Sequence, residues 1–210
     1  MKRFVLSSIF LAGIAAGIAA PAAASSITFH VQVNTAPLVG SPLAPFYLDF
    51  ALNDGSGTLA GINSVSIFNF NFGGGSPLGV PTLFGGASGN LSSSVNLTDN
   101  ASFSNEFFQA FTPGSALVFD VTTTTNADPI SPDAFTFAIL DSSLSNLPTN
   151  GLLDSLLVAN LSPSLTVSRI QTFATTSPAG VTATASPIPE PATLLLLGTG
   201  IVSIVHRRRK

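Results

Sequence analysis

Few side chains between residues 25 and 186 could carry out acid–base or nucleophilic chemistry. His30 is the only histidine in this body and Glu106 its only glutamate, and the 210-residue chain contains no cysteine. A serine hydrolase needs a positioned base, so His30 would have to serve, but no Gly-x-Ser-x-Gly turn follows a predicted strand. The alternating pattern around His30 places it on the polar face of a strand, which favours a surface histidine. We therefore predict no catalytic residue and no thiol chemistry.

Carboxylates are the remaining candidates for catalysis or metal binding. A glycosidase pair would combine Glu106 with Asp99 or Asp133, but the strand pattern favours an ordinary strand position for Glu106. Asp54, Asp128 and Asp133 fall in turns rich in Gly, Pro and Asn, and oxygen-rich loops of this kind suit Ca²⁺. The turn around Asp54 lacks the spacing and the closing glutamate of an EF-hand. We predict no metal-ligating residue and no cofactor, with a structural Ca²⁺ ion as the alternative.

The charge distribution excludes whole classes of partner. Only 8% of residues are charged, and residues 25–186 hold nine carboxylates and one base, Arg169, for a net charge of −8. Nucleic acids and anionic lipids both require a basic surface, so this body is predicted to bind neither. The other six bases lie near the two ends of the chain, where they are Lys2, Arg3, Arg207, Arg208, Arg209 and Lys210.

The N-terminal residues 1–24 have the pattern of a secretory signal peptide. A basic start precedes an apolar run over residues 4–20, and Pro21 ends that run. Ala22 and Ala24 provide the small residues at positions −3 and −1 that predict cleavage after Ala24. A retained membrane helix is the alternative, and the small residues after the apolar run argue against it.

The C-terminal residues combine a proline-rich motif, an apolar run and a basic tail. Pro189, Glu190 and Pro191 precede 14 apolar or small residues over 192–205. As a helix that run spans about 21 Å at 1.5 Å per residue, less than the roughly 30 Å of a bilayer core. We predict a short transmembrane anchor whose tail, Arg207 to Lys210, stays in the cytoplasm. The prolines keep the preceding segment extended and accessible.

The order of features over residues 187–210 resembles the PEP-CTERM sorting signal of Gram-negative bacteria. The resemblance implies that the chain is a substrate of exosortase, a membrane-embedded processing enzyme, with Pro189, Glu190 and Pro191 as recognition residues. Cleavage near them would release the body from the anchor. The resemblance also implies an association with bacteria that produce exopolysaccharide and form biofilms. A permanent tail anchor is the alternative.

Strand patterns dominate residues 25–174. Apolar and polar residues alternate over several short runs separated by turns rich in Gly, Pro and Asn, and we count eight to ten strands. This predicts an all-β fold, an antiparallel β-sandwich of jelly-roll-like type, with most phenylalanines in its core. A phase change near Ile67 and Phe68 predicts a β-bulge. Residues 152–158 fit either a short helix or a strand, and residues 175–186, rich in Ser, Thr, Pro and Ala, are predicted to be a linker.

The body also resembles uncharacterised PEP-CTERM proteins, through segments over residues 46–50, 53–55, 69–75, 105–109 and 132–137. That resemblance implies an extracellular sandwich and supplies no catalytic residues. We therefore expect a non-enzymatic protein of the cell surface or extracellular matrix that crosses the inner membrane and is processed by signal peptidase and exosortase. The alternative is a carbohydrate-binding module for exopolysaccharide. It is weakened because the body has no tryptophan and only one tyrosine, Tyr47.

Overall fold

The structure is a computed structural model that describes residues 26–59, 62–127, 130–151 and 153–188. These residues form β-strands and two short 3₁₀ helices, Ala36–Leu38 and Val167–Arg169, and none of them is in an α-helix. The all-β prediction is confirmed. The strands are β1 Ser26–Asn34, β2 Phe46–Asn53, β3 Ser64–Asn71, β4 Ser76–Pro77, β5 Thr82–Phe84, β6 Ser88–Gly89, β7 Ser94–Thr98, β8 Ser104–Thr112, β9 Ala116–Thr124, β10 Asp133–Leu140, β11 Leu157–Leu161, β12 Gln171–Thr172, β13 Ala174–Thr176 and β14 Ala179–Pro187.

The strands form two antiparallel sheets. Sheet A has the order β13-β14-β1-β9-β3-β7-β6, and sheet B has the order β12-β11-β10-β2-β8-β4, with β5 also paired to β8. In sheet A β9 lies between β1 and β3, and in sheet B β8 lies between β2 and β4. This nested pairing resembles the strand order of a jelly roll, in which successive strands alternate between the two sheets.

The two sheets enclose one hydrophobic core built largely from phenylalanine. Phe50 of sheet B contacts Phe119 of sheet A with ring centroids 5.4 Å apart, and Phe137 lies 5.1 Å from Phe50. Alternate residues of the long strands point into this core, as expected for a sandwich. The predicted core role is confirmed for the fully buried rings, which are Phe29, Phe46, Phe50, Phe107, Phe111, Phe119, Phe135 and Phe137. It is wrong for Phe84 and Phe103, which are exposed.

The bulge predicted near Ile67 and Phe68 is present slightly further along β3. The register between β3 and β9 shifts between Phe68 and Asn71, and Asn69 has a left-handed φ of 58°. Asparagine is one of the few non-glycine residues that adopts this conformation readily. The extra residue turns the Asn69 side chain towards Asp120, to which its Nδ2 donates a 2.8 Å hydrogen bond.

The linker predicted over residues 175–186 is instead part of sheet A. β14 pairs with β1 over the register Phe29–Pro187 to Asn34–Thr182, and Val181 and Ala183 are buried. The segment alternates small apolar residues with Thr and Ser, which is a strand pattern that buries little apolar surface. Because its buried side chains are small, the sequence favoured a linker. Residues 152–158 fitted either a short helix or a strand. Leu157 and Val158 lie in β11, so the strand interpretation holds for those two residues.

Candidate functional site

The chain enters and leaves the body at the same end of sheet A. β1 begins at Ser26, and β14 ends at Pro187, which pairs with Phe29. Position 189, where the predicted sorting residues start, is therefore two residues beyond a hydrogen-bonded strand. Those predicted residues lie outside the described part of the chain, as do the predicted cleavage residues and the basic tail: Pro189, Glu190, Pro191, Ala22, Ala24, Arg207, Arg208, Arg209 and Lys210.

The apolar run predicted to anchor the chain, residues 192–205, also lies outside the described residues. Within the ranges that the structure does describe, no helix has the length and hydrophobicity required to cross a bilayer. The anchor accordingly stays a prediction from the sequence.

His30 lies on the outer face of sheet A and is paired with an aspartate. Its Nδ1 is 2.8 Å from Oδ1 of Asp120, and the His30 side chain is 40% exposed. Ser186 is opposite His30 on the neighbouring strand β14, so a Ser–His–Asp row crosses this face. Across the described residues, no hydrogen bond joins Ser186 to His30, and neither residue lines the cavity beside β11 and β12. The row is best explained as polar pairing between exposed strands.

Glu106 lies on the outer face of sheet B, where its partner is Asp49. The register pairs Asp49 with Phe108 and Ala51 with Glu106, so the two carboxyl groups are diagonal neighbours. Burial, followed by the nearby Glu106 charge and a hydrogen bond to it, raises the pKa of Asp49 to about 7. The Asp49 carboxyl group therefore keeps its proton at slightly acidic pH.

The predicted alternative partners of Glu106, Asp99 and Asp133, lie elsewhere, in the interior at the end of the sandwich where β1 begins. Asp133 accepts a 2.8 Å hydrogen bond from the Gly55 amide and a 2.7 Å bond from Asn63 Nδ2. Asp99 accepts a 3.0 Å bond from the Asn63 amide, and burial and the adjacent Asp133 raise its pKa. These acids connect the loops of the two sheets, so Glu106 has no glycosidase partner among them.

Where the structure describes them, the turn carboxylates considered as calcium ligands accept hydrogen bonds from backbone amides. Asp54 Oδ1 accepts hydrogen bonds from the amides of Ser56 and Gly57, and Oδ2 accepts one of 2.6 Å from Leu59. Burial opposes ionisation of Asp54, but these bonds outweigh it and hold its pKa below the ordinary value. Asp128 lies outside the described residues. In the described ranges, no three His, Asp or Glu side chains cluster as a metal site would require.

The feature that the sequence did not predict is a cavity of about 670 Å³ beside β11 and β12. Its size lies within the range of small-molecule sites. The apolar part of its lining comes from Leu153, Val158 and Phe173. The polar part contains amides and a hydroxyl, from Asn150, Asn160, Gln171 and Thr172, and Gly151 completes it. No local motif marks this site, because its residues come from separate segments between positions 150 and 173.

Aromatic rings lie on the outer face of sheet B beside the carboxyl pair. Phe108 makes an edge contact with Tyr47 and a stacked contact with Phe84, with ring centroids 6.3 Å apart in both cases. Val158 of the cavity lies on the same face, because it pairs with Thr136 and Thr136 pairs with Ala51. This face therefore carries both the cavity and the exposed aromatic surface that the sequence alone did not reveal.

Comparison with known proteins identifies the C-terminal segment. Residues 187–210 match the protein-family model described as the PEP-CTERM protein-sorting motif, with the bounds that the sequence predicted. No curated protein and no solved structure matches the chain. The motif indicates a secreted protein that passes through the membrane, is recognised by an exosortase-type processing system and is sorted to the cell surface or beyond. The chain thus carries a PEP-CTERM protein-sorting motif at residues 187–210.

Proposed function

We propose that this protein is a non-enzymatic component of the cell surface or biofilm matrix, released from its membrane anchor by cleavage near Pro189–Pro191. The observation that carries the proposal is the sorting motif over residues 187–210, which begins where the last strand ends. Cleavage beyond Pro187 leaves every strand of the sandwich in place. The released product is then a stable β-sandwich rather than a truncated chain.

The position of the two ends supports the same order of events. Because Ser26 and Pro187 emerge at one end of sheet A, the predicted signal peptide and anchor can both occupy the membrane while the body folds on the far side. β14 leaves no long linker, so the body of the precursor is held close to the membrane surface. The processing enzyme must then act between a folded domain and the bilayer, and the extended Pro-rich segment suits that position.

A non-enzymatic role is supported by the arrangement of the polar side chains. His30 is bonded to Asp120, Asp54 to its own turn, and Asp133 to Gly55 and Asn63. Each of these contacts has a structural purpose, either pairing strands or tying loops together. Catalysis would instead require a base placed beside a nucleophile in a cleft.

Intact mass tests the processing. The protein is isolated from the surface and matrix fractions of its host and compared with Glu190→Ala and with Ser186→Ala, a control four residues upstream on exposed strand. We expect the unmodified chain and Ser186→Ala to start at Ser25 and end near Pro189–Pro191. Glu190→Ala should retain the basic tail in the membrane fraction. A native chain that keeps Arg207–Lys210 would overturn the proposal in favour of a permanent anchor.

The second candidate function is carbohydrate binding, and the cavity beside β11 and β12 is the observation that favours it. Small-molecule sites combine an apolar lining with a few placed polar groups, and this cavity offers both. Retention of the protein on the host's own polysaccharide, measured by co-sedimentation, tests this function. Equal amounts of protein in the supernatant with and without polysaccharide would exclude it.

A further inference from the structure

We propose that the cavity beside β11 and β12 is a binding site for a neutral saccharide, an inference that rests on the second candidate function above. The site consists of Leu153, Val158 and Phe173 as apolar contacts and Asn160 and Gln171 as hydrogen-bonding groups. A pyranose ring has a face of C–H groups and a rim of hydroxyls. It therefore matches a lining that is apolar on one part and carries amides on another.

The amides of the lining are available to a ligand. Asn160 and Gln171 are exposed, and their side chains make no hydrogen bond to the rest of the described chain. Each amide offers two N–H donors and a carbonyl acceptor, so either can bond a hydroxyl in both senses. Asn150, in contrast, is fixed in place. Its backbone N–H donates to the carbonyl oxygen of Ala174 at 3.0 Å, and its side-chain Oδ1 accepts from the backbone N–H of Ala174 at 3.0 Å.

The wall of the cavity is held in shape without a ligand. The Phe173 amide donates to Leu156 O at 3.0 Å. A Cβ atom at Gly151 would lie 2.8–3.0 Å from three atoms of the Phe173 ring, so the glycine backbone packs directly on the face of that ring. A preformed wall lowers the entropic cost of ordering side chains on binding. Such a cavity suits a weakly amphipathic ligand whose contacts are individually weak, because little of the binding free energy is lost in ordering the protein.

Charge restricts the ligand to neutral molecules. None of the described residues that line the cavity is charged. A phosphate, sulfate or uronate would find no cation there and would face a body with nine carboxylates against one base. A cationic ligand would find no carboxylate in the lining. An extended peptide is disfavoured because β12, the edge strand beside the cavity, offers only the two residues Gln171–Thr172 for pairing.

The experiment measures ligand binding to the unaltered full chain by isothermal titration calorimetry, so that no residue of the site is changed. The chain is titrated with neutral oligosaccharides of glucose, mannose, galactose and N-acetylglucosamine. Trialanine and a sulfated oligosaccharide are titrated in parallel. We expect a saturable heat of binding with at least one neutral sugar and none with the other two ligands.

Two further variants locate the site. Asn160→Ala combined with Gln171→Ala should weaken sugar binding at least about fivefold, as expected for loss of hydrogen bonds without a change in fold. Gln32→Ala, an exposed strand glutamine on sheet A, is the matched control and should leave affinity unchanged. Sugar binding that the double variant does not weaken would overturn this site alone. No co-sedimentation and no titration by any sugar would overturn the carbohydrate function as well, and saturation by trialanine would identify a peptide site instead.

Discussion

Val181 in β14 tests whether the chain between residues 175 and 186 is part of the fold or a linker. Its side chain is fully buried, whereas Thr182 beside it is exposed. Val181→Ala removes the equivalent of two methylene groups, about 1.6 kcal/mol of transfer free energy at ~0.8 kcal/mol each. The cavity left behind adds to this cost, so the free energy of unfolding should fall by about 2–3 kcal/mol.

Thermal unfolding followed by far-UV circular dichroism measures the effect. For a domain of this size, each kcal/mol lowers Tm by about 2–4 °C, so Val181→Ala should lower it by about 4–12 °C. Thr182→Ala is the matched control, because it changes an exposed residue of the same strand and should alter stability by less than about 0.5 kcal/mol.

The pattern of the two shifts decides the result. Negligible shifts for both variants would refute the assignment of β14 to sheet A and restore the linker. Large shifts of equal size would refute the argument from burial, because the loss would then come from the intrinsic strand preference of the segment. Only a large shift confined to Val181→Ala agrees with a buried strand that the sorting cleavage must leave intact.

Three further predictions concern the body. Burial and the Glu106 carboxylate raise the pKa of Asp49 from 3.8 to about 7, so the folded state holds a proton that the unfolded state has lost. The free energy of unfolding should therefore fall as pH rises from about 4 to about 7. In urea denaturation across that range, Asp49→Asn should show a shallower fall than the unmodified chain. The same dependence on pH in both proteins would count against the carboxyl pair. Phe50→Ala should cost about 3–5 kcal/mol in urea denaturation, whereas Phe84→Ala at an exposed ring should cost far less; similar losses would contradict the core assignment. Asn69→Gly should preserve Tm and Asn69→Val should lower it by at least about 2 °C, because only the glycine tolerates the left-handed φ at the bulge; the reverse order would argue for a regular strand.

The sequence predicted those parts of the fold in which hydrophobic alternation is strong. Phe46 to Leu52 and Leu117 to Val121 place a large apolar residue at every second position, and both runs are core strands. The bulge in β3 was predicted because the large side chains change there from odd-numbered to even-numbered positions, and the extra residue keeps Phe70 against the core. β14 was missed because Val181 and Ala183 are small and are separated by Thr, so the same alternation carries little apolar surface.

The candidate site could not be predicted from the sequence for a different reason. Glu106 was recognised as unusual, but its partner Asp49 is more than fifty positions away and becomes a neighbour only through the register between β2 and β8. The cavity likewise requires the return of the chain after β11 to β12, which no local pattern encodes. The C-terminal sorting motif is the opposite case, because its information is contained in consecutive residues.

In the proposed function, the pairing of β1 with β14 would link folding to export. Phe29 and Pro187 lie opposite each other in the register of β1 and β14, so sheet A gains β14 only after almost the whole body is available on one side of the membrane. Pairing at such a sequence separation forms late, because the entropy of closing the loop must be offset before the contact stabilises the chain. The body contains no cysteine, so no disulfide can hold an incomplete sandwich together. The anchor predicted over residues 192–205 would therefore retain the chain at the membrane until β14 has paired, and cleavage beyond Pro187 would release a sandwich that is already complete.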